Sequence, residues 1–147
     1  MRTSSIIAAA VLVVSVAACR TASPRAEYLT PYGQPTRPFS PAVRVGNMLY
    51  LSGQIGTGAD GKLVEGGIGP ETRQTMENIR DVLNRTGSSM DRVVKCTVML
   101  ADMREWDAMN VVYAPYFPVH KPARSALGAS GLALNARVEI ECWAVVG

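Results

Sequence analysis

Apolar residues in this chain switch between two periods, two residues and about 3.6, and the order of the switches is the strongest constraint on its fold. Val43 and Val45 flank Arg44, Gly46-Asn47 supplies a turn, and Met48 to Ile55 is a second β-rich run. These two runs predict a hairpin. Gly56 to Gly67 is a glycine-rich, acidic loop, and no Gly-Lys-Ser/Thr follows it to make a phosphate cradle. At Pro70 the period lengthens. Proline suits the first helical position, Glu71 complements the positive helix start, and Met76, Ile79, Val82 and Leu83 share one face up to Arg85 and Gly87. Val93 to Leu100 returns to strand character. Asp102 with Glu105 resembles a capping box for a second helix, whose apolar face would carry Trp106, Met109, Tyr113 and Tyr116 or Phe117. Pro115 should bend that helix or end it early. Arg124 to Ala129 and Arg137 to Val146 close the chain as strands. Helices placed between strands in this order predict an α+β sandwich with both helices on one face of the sheet.

Before that domain the chain carries a different kind of signal. Arg2 and a polar Thr3-Ser4-Ser5 precede an unbroken apolar run from Ile6 to Ala18, a charged n-region and an h-region of about 13 residues. A membrane-spanning helix needs about 20 apolar residues, so the run reads as an export signal. Val16-Ala17-Ala18-Cys19 resembles the bacterial lipobox, in which the cysteine is lipidated and becomes the mature N-terminus. Ordinary cleavage nearby, leaving Cys19 a free thiol in a soluble exported protein, is the alternative. Residues 19–36 hold Pro24, Pro31, Pro35 and Gly33 without strand or helix periodicity and read as a flexible tether. The expected organisation is therefore a signal segment over 1–18, a tether over 19–36 and one domain over 37–147. Arg20 after the cysteine, in place of an aspartate, favours the outer membrane, with the domain facing the periplasm.

Composition narrows the function classes. Of 147 residues, 48% are hydrophobic, 18% charged and 6% aromatic, with a formal charge of +3 whose contributors are scattered. Nucleic-acid binding calls for a basic stripe or interleaved aromatics, and neither is present. One histidine and three cysteines exclude a zinc site built on paired Cys-x-x-Cys. His120 has no serine or aspartate companion and reads as a surface residue. Cys96 and Cys142 fall in apolar strands as small buried hydrophobes. An oxidising compartment would also permit a disulfide between them if their Cα atoms lie within about 7 Å. Trp106 and Trp143 read as core or subunit-contact residues.

Two features could carry chemistry. Alternation in Val138-Glu139-Ile140-Glu141 puts both carboxylates on one face and Ile140, Cys142 and Ala144 on the other. They form either a solvated pair or an acid–base site. Arg124 is either an exposed strand charge or a bidentate receptor for a small carboxylate. Together, arginine and glutamate suit a small acid whose reacting carbon lies beside its carboxylate.

Pro122-Ala123-Arg124-Ser125 followed, after a loop, by Val138-Glu139-Ile140-Glu141 resembles the C-terminal signature of the RidA/YjgF family. Val45-Gly46-Asn47 with Ser52-Gly53-Gln54-Ile55 is similar to its N-terminal hairpin. Thr72-Arg73-Gln74, Glu77-Asn78 and Asn110-x-x-Tyr113-x-x-Tyr116-Phe117 resemble its two helices. The resemblance spans roughly residues 37 to 147. It implies a chorismate-mutase-like α+β fold, a homotrimer with a cleft at each subunit boundary, and hydrolysis of 2-imino or enamino acids to 2-oxo acids and ammonia. By position, Arg124 would bind the substrate carboxylate and Glu141 would deprotonate the attacking water. Backbone groups near Gly53 and Ala126 would hold imine and water, while Phe39 and Asn110 would line the pocket. Such a reaction calls for neither metal nor organic cofactor, because an imine is already electrophilic and needs positioning and a proton transfer. Phe39 stands in Arg37-Pro38-Phe39-Ser40-Pro41 where the family commonly has Gly-Pro-Tyr-Ser-Gln, and Ala126 stands where some members carry cysteine. Without catalysis, the same residues would make a small-carboxylate binding module, or the fold could serve as an envelope chaperone or scaffold.

Overall fold

In the computed structural model, which describes residues 23–34 and 36–147, the period-two runs build one seven-stranded mixed sheet. The elements are β1 (Ala26–Leu29), β2 (Ala42–Val45), β3 (Met48–Leu51), β4 (Gln54–Ile55), α1 (Ile68–Arg85), β5 (Val93–Leu100), α2 (Trp106–Tyr113), β6 (Ala123–Gly128) and β7 (Val138–Val145). Strand order is β1-β2-β3-β7-β5-β6, with β4 also on β7. Every pairing is antiparallel except β5 with β6, between which α2 carries the chain across. The α+β architecture expected from the sequence is the one found. The signal segment 1–18 and Cys19 lie outside the described residues.

The apolar patterns account for the layers. Met76, Ile79, Val82 and Leu83 of α1, Met109 and Tyr113 of α2, and Ile140, Cys142 and Ala144 of β7 are buried in one cluster. The helices therefore cover one face of the sheet, and the Glu139/Glu141 face is left uncovered by them. Each buried CH₂ contributes about 0.8 kcal/mol, so this cluster is the dominant stabilising feature. Cys96 and Cys142 are opposed across β5 and β7 and are joined by a disulfide, with Cα atoms 4.1 Å apart.

Local details follow the chemistry, with some departures. Gly46 takes φ +60 at the first position of the two-residue β2–β3 turn, which suits glycine there. Helix α1 starts two residues before Pro70 and ends at a turn in which Gly87 is left-handed (φ +84) and Ser88 N–H donates to Leu83 O at 2.9 Å. The capping box is half made. Asp102 accepts from the Arg104 amide at 2.9 Å, whereas Glu105 is drawn instead to the Arg137 guanidinium. Helix α2 gives way at Ala114-Pro115-Tyr116 to a 3₁₀ turn, as the missing proline amide requires.

The tether reading of residues 19–36 needs correction at its centre. Ala26–Leu29 forms the edge strand β1, antiparallel to β2, with Arg44 donating to Glu27 at 2.5 Å. Three of its four residues are exposed, so it carries no alternating apolar pattern to announce it.

Candidate active site

The Met48 to Ile55 run is not one strand, and its interruption builds half of the site. Tyr50 pairs with Trp143 and Gln54 with Ile140. Four steps on one side (50 to 54) thus match three on β7 (143 to 140), and the surplus residue is a bulge through Ser52-Gly53. The bulge is pinned to the preceding segment: Ser52 Oγ donates to Ser40 O at 2.7 Å and Ser52 N–H to Pro41 O at 3.0 Å. It also brings the Gly53 backbone against Glu139. A Cβ on Gly53 would lie 2.1 Å from Glu139 Oε1. Only glycine allows this approach.

Glu139 and Glu141 share the helix-free face, as alternation requires. The Glu139 carboxyl is held above its ordinary range, first by burial and then by repulsion from Glu141. Sequence reasoning gave the base role to Glu141; the structure sets Glu139 against Gly53. The available signal was a glycine inside a strand run, which marks a close backbone approach.

Arg124 lies on the other face. Cys96 is the register partner of both Arg124 on β6 and Cys142 on β7, so all three side chains lie in one row on the helix-covered side. Thr97 opposes Ser125 and Glu141 in the next row, on the opposite side. Over Arg124 sits α2. Arg124 Nη1 donates to Asn110 Oδ1 at 2.6 Å, and its Cζ lies 5.0 Å from the Trp106 ring centroid and 4.9 Å from that of Tyr113. Among the described residues no carboxylate pairs with Arg124. Ala126 follows two residues on, partly buried on the same face.

The site residues named from the sequence therefore fall into two groups. Arg124, Asn110 and Ala126 gather under α2. Gly53 and Glu141, with Glu139, lie on the open face, and Phe39, 46% exposed, sits near the Ser40 contact. Within one protomer the expected meeting of Arg124 with Glu141 does not occur, because β6 and β7 present them to opposite sides of the sheet. A cavity of about 730 Å³ is lined by Tyr32, Arg37, Phe39, Gln54, Asn78 and Asp81 among others, and it reaches neither Arg124 nor Glu141. Among the described residues no group of three or more His, Cys, Asp or Glu side chains is placed to hold a metal.

Comparison with known proteins extends this picture. A family model described as Endoribonuclease L-PSP matches residues 31–146. Protein HMF1 of Saccharomyces cerevisiae is 45% identical over 106 residues, covering 72% of this chain and 82% of that protein. The 2-iminobutanoate/2-iminopropanoate deaminase of Capra hircus is 44% identical over 111 residues, 75% of this chain and 81% of its own. The crystal structure of yeast Mmf1 superposes with a TM-score of 0.77 at 38% identity, covering 84% of this chain and all of that one.

Proposed function

The chain belongs to the RidA/YjgF/L-PSP family, and from that membership we propose that it hydrolyses 2-imino acids, with their enamine tautomers, to 2-oxo acids and ammonia. The observation that carries the reading is Arg124: a partly buried guanidinium held by a neutral amide and two aromatic rings, without a carboxylate partner among the described residues. A guanidinium so placed is a receptor for a planar carboxylate.

The imine carbon adjoining that carboxylate is the electrophile. Glu139, against Gly53, accepts a proton from water as the water oxygen bonds to this carbon. That proton passes to the imine nitrogen to give the neutral carbinolamine, whose hydroxyl proton then moves through Glu139 to the same nitrogen as the C=O forms, the C–N bond breaks and ammonia leaves. A positioned base typically contributes about 10²–10⁴-fold. Glu141, on the same face, raises the proton affinity of Glu139.

Because Arg124 and Glu139 occupy opposite faces of one sheet, the complete site is formed between copies. Arg124 of one protomer meets Gly53 and Glu139 of the next in a closed ring of three, the homotrimer the family resemblance implies. The helix-free face suits such a contact: Tyr50 and Trp143 stack there edge to face, ring centroids 5.2 Å apart and both exposed. Export to the periplasm with a lipidated Cys19, anchored in the outer membrane, completes the proposal. The Cys96–Cys142 disulfide supports an oxidising compartment. Incorporation of labelled palmitate, lost in Cys19→Ser, tests the anchor.

The deciding assay generates 2-iminobutanoate from an amino acid with an oxidase and follows its loss. Wild type should hasten the loss, and Arg124→Ala and Glu139→Gln should not. Carboxylate binding without acceleration would mark a binding module instead.

A further inference from the structure

Trp106, Asn110 and Tyr113 are spaced i, i+4 and i+7 on α2, so a single helix face presents an indole, an amide and a phenol to Arg124. Both rings lie within the roughly 6 Å at which a cation over an aromatic face is attracted. The amide between them takes one guanidinium N–H at 2.6 Å. Tyr113 is 6% exposed, and its buried hydroxyl has no hydrogen-bond partner among the described residues. Burial pushes that phenol up to about 12, so it stays neutral and adds no anion that would compete for Arg124.

The geometry points to this triad as the positioning device of the carboxylate receptor: Trp106 and Tyr113 clamp the guanidinium plane while Asn110 fixes its rotation, so that the remaining N–H edge is held ready for a planar carboxylate. This deepens the deaminase reading and rests on it for its kinetic arm. The clamp brings no carboxylate to Arg124 among the described residues, and the guanidinium carbon lies 5.0 Å and 4.9 Å from the two ring centroids. An unclamped arginine would have to lose rotamer freedom on each binding event, a cost of about the side chain's full conformational entropy. The clamp meets that cost during folding. Its expected signature is a change in affinity for the acid with little change in the chemical step.

Trp106 allows a test that leaves the fold alone. Protein produced with 5-fluorotryptophan or 5,7-difluorotryptophan keeps the shape of the indole but weakens the field over its face. The KM for 2-iminobutanoate and the Kd for 2-oxobutanoate, read by calorimetry, should rise stepwise with fluorination. About threefold to tenfold is expected over the series, the size of a desolvated cation–π contact, with kcat changed by less than about twofold. Both tryptophans, Trp106 and Trp143, take the label. Trp106→Phe, which leaves only Trp143 to be fluorinated, is the control, and its own constants should not move on labelling. Flat KM and Kd across the series, or an equal rise in labelled Trp106→Phe, would overturn the clamp. An unlabelled wild type that does not hasten imine loss would instead overturn the deaminase reading, and the Kd series would still decide the clamp.

Discussion

Gly53→Ala separates catalytic positioning from folding more cleanly than truncating a charged group would. The new methyl would start 2.1 Å from Glu139 Oε1, 3.0 Å from Cδ and 3.1 Å from Cγ, where ordinary contact begins at 3.4 Å. The carboxylate oxygen must therefore retreat by 3.4 − 2.1, about 1.3 Å. The obstacle is the end of a flexible side chain, and Gly53 is not among the positive-φ glycines, so alanine suits the backbone. Reduced freedom of the unfolded chain then adds about 0.4–1 kcal/mol of stability, to set against any cost of moving the carboxylate. A misplacement of about 1 Å in a catalytic group costs on the order of 10²-fold. The expected outcome is a Tm equal to or above wild type with kcat for 2-iminobutanoate about 100-fold lower and KM, governed by Arg124, nearly unchanged. Thermal melting by circular dichroism and the oxidase-coupled assay measure the two sides. A well-folded Gly53→Ala enzyme with kcat within about threefold of wild type would refute the assignment of Glu139. So would a Glu139→Gln enzyme that stays active.

Other outcomes follow from the same geometry. Arg124→Ala co-expressed with Glu139→Gln should recover activity, because one copy supplies the intact arginine and its neighbour the intact glutamate. Random assembly at equal amounts gives about a quarter of the wild-type rate, half times half per cleft, and no recovery would mean that both groups serve the same cleft from one copy. Glu139 works ionised and its proton affinity is raised, so activity should fall with decreasing pH already above the ordinary carboxylate range. Glu141→Gln removes the lesser of the two causes, leaving burial in place, and a kcat–pH profile should show the acid limb moved to lower pH; an unmoved limb would count against the coupling. The disulfide closes a loop with a sequence separation of 46 residues, for which loop-closure entropy amounts to about 4 kcal/mol. Cys96→Ala/Cys142→Ala should lose stability of that order in non-reducing urea titrations, and an unchanged midpoint would show that the cross-link contributes little.

Much of the fold was legible because its signals are local. The hairpin turn, the Met76-Ile79-Val82-Leu83 face, the Pro115 break and the Gly87 turn each depend on a few adjacent residues, and each is found where the pattern put it. Strand β1 escaped because a short edge strand with three exposed residues has no period to detect. The Ser52-Gly53 bulge showed in the sequence only as a glycine inside a strand run, because its place is fixed by the pairing with β7. The disulfide was left open for a related reason: two cysteines 46 residues apart become neighbours only through the register of β5 and β7.

The division of the site is the least legible feature, and it has a physical logic. Alternation tells which residues of one strand share a face, but it cannot relate the faces of two strands. That relation is set by the rows Arg124–Cys96–Cys142 and Ser125–Thr97–Glu141. An arginine and a carboxylate within reach of one another in a single protomer would pair directly, and their mutual ion pair would compete with the substrate for both. On opposite faces of one sheet they cannot pair within a single copy. Arg124 is instead held by rings and an amide, and Glu139 is held by a glycine bulge beside a like charge that keeps it basic. In the proposed cleft between copies, these two charges, without an ion-pair partner among the described residues, would meet the two ends of a small imino acid. The opposition of faces that disperses the site within one chain thus prevents an ion pair inside a single copy and leaves both charges to the proposed cleft between copies.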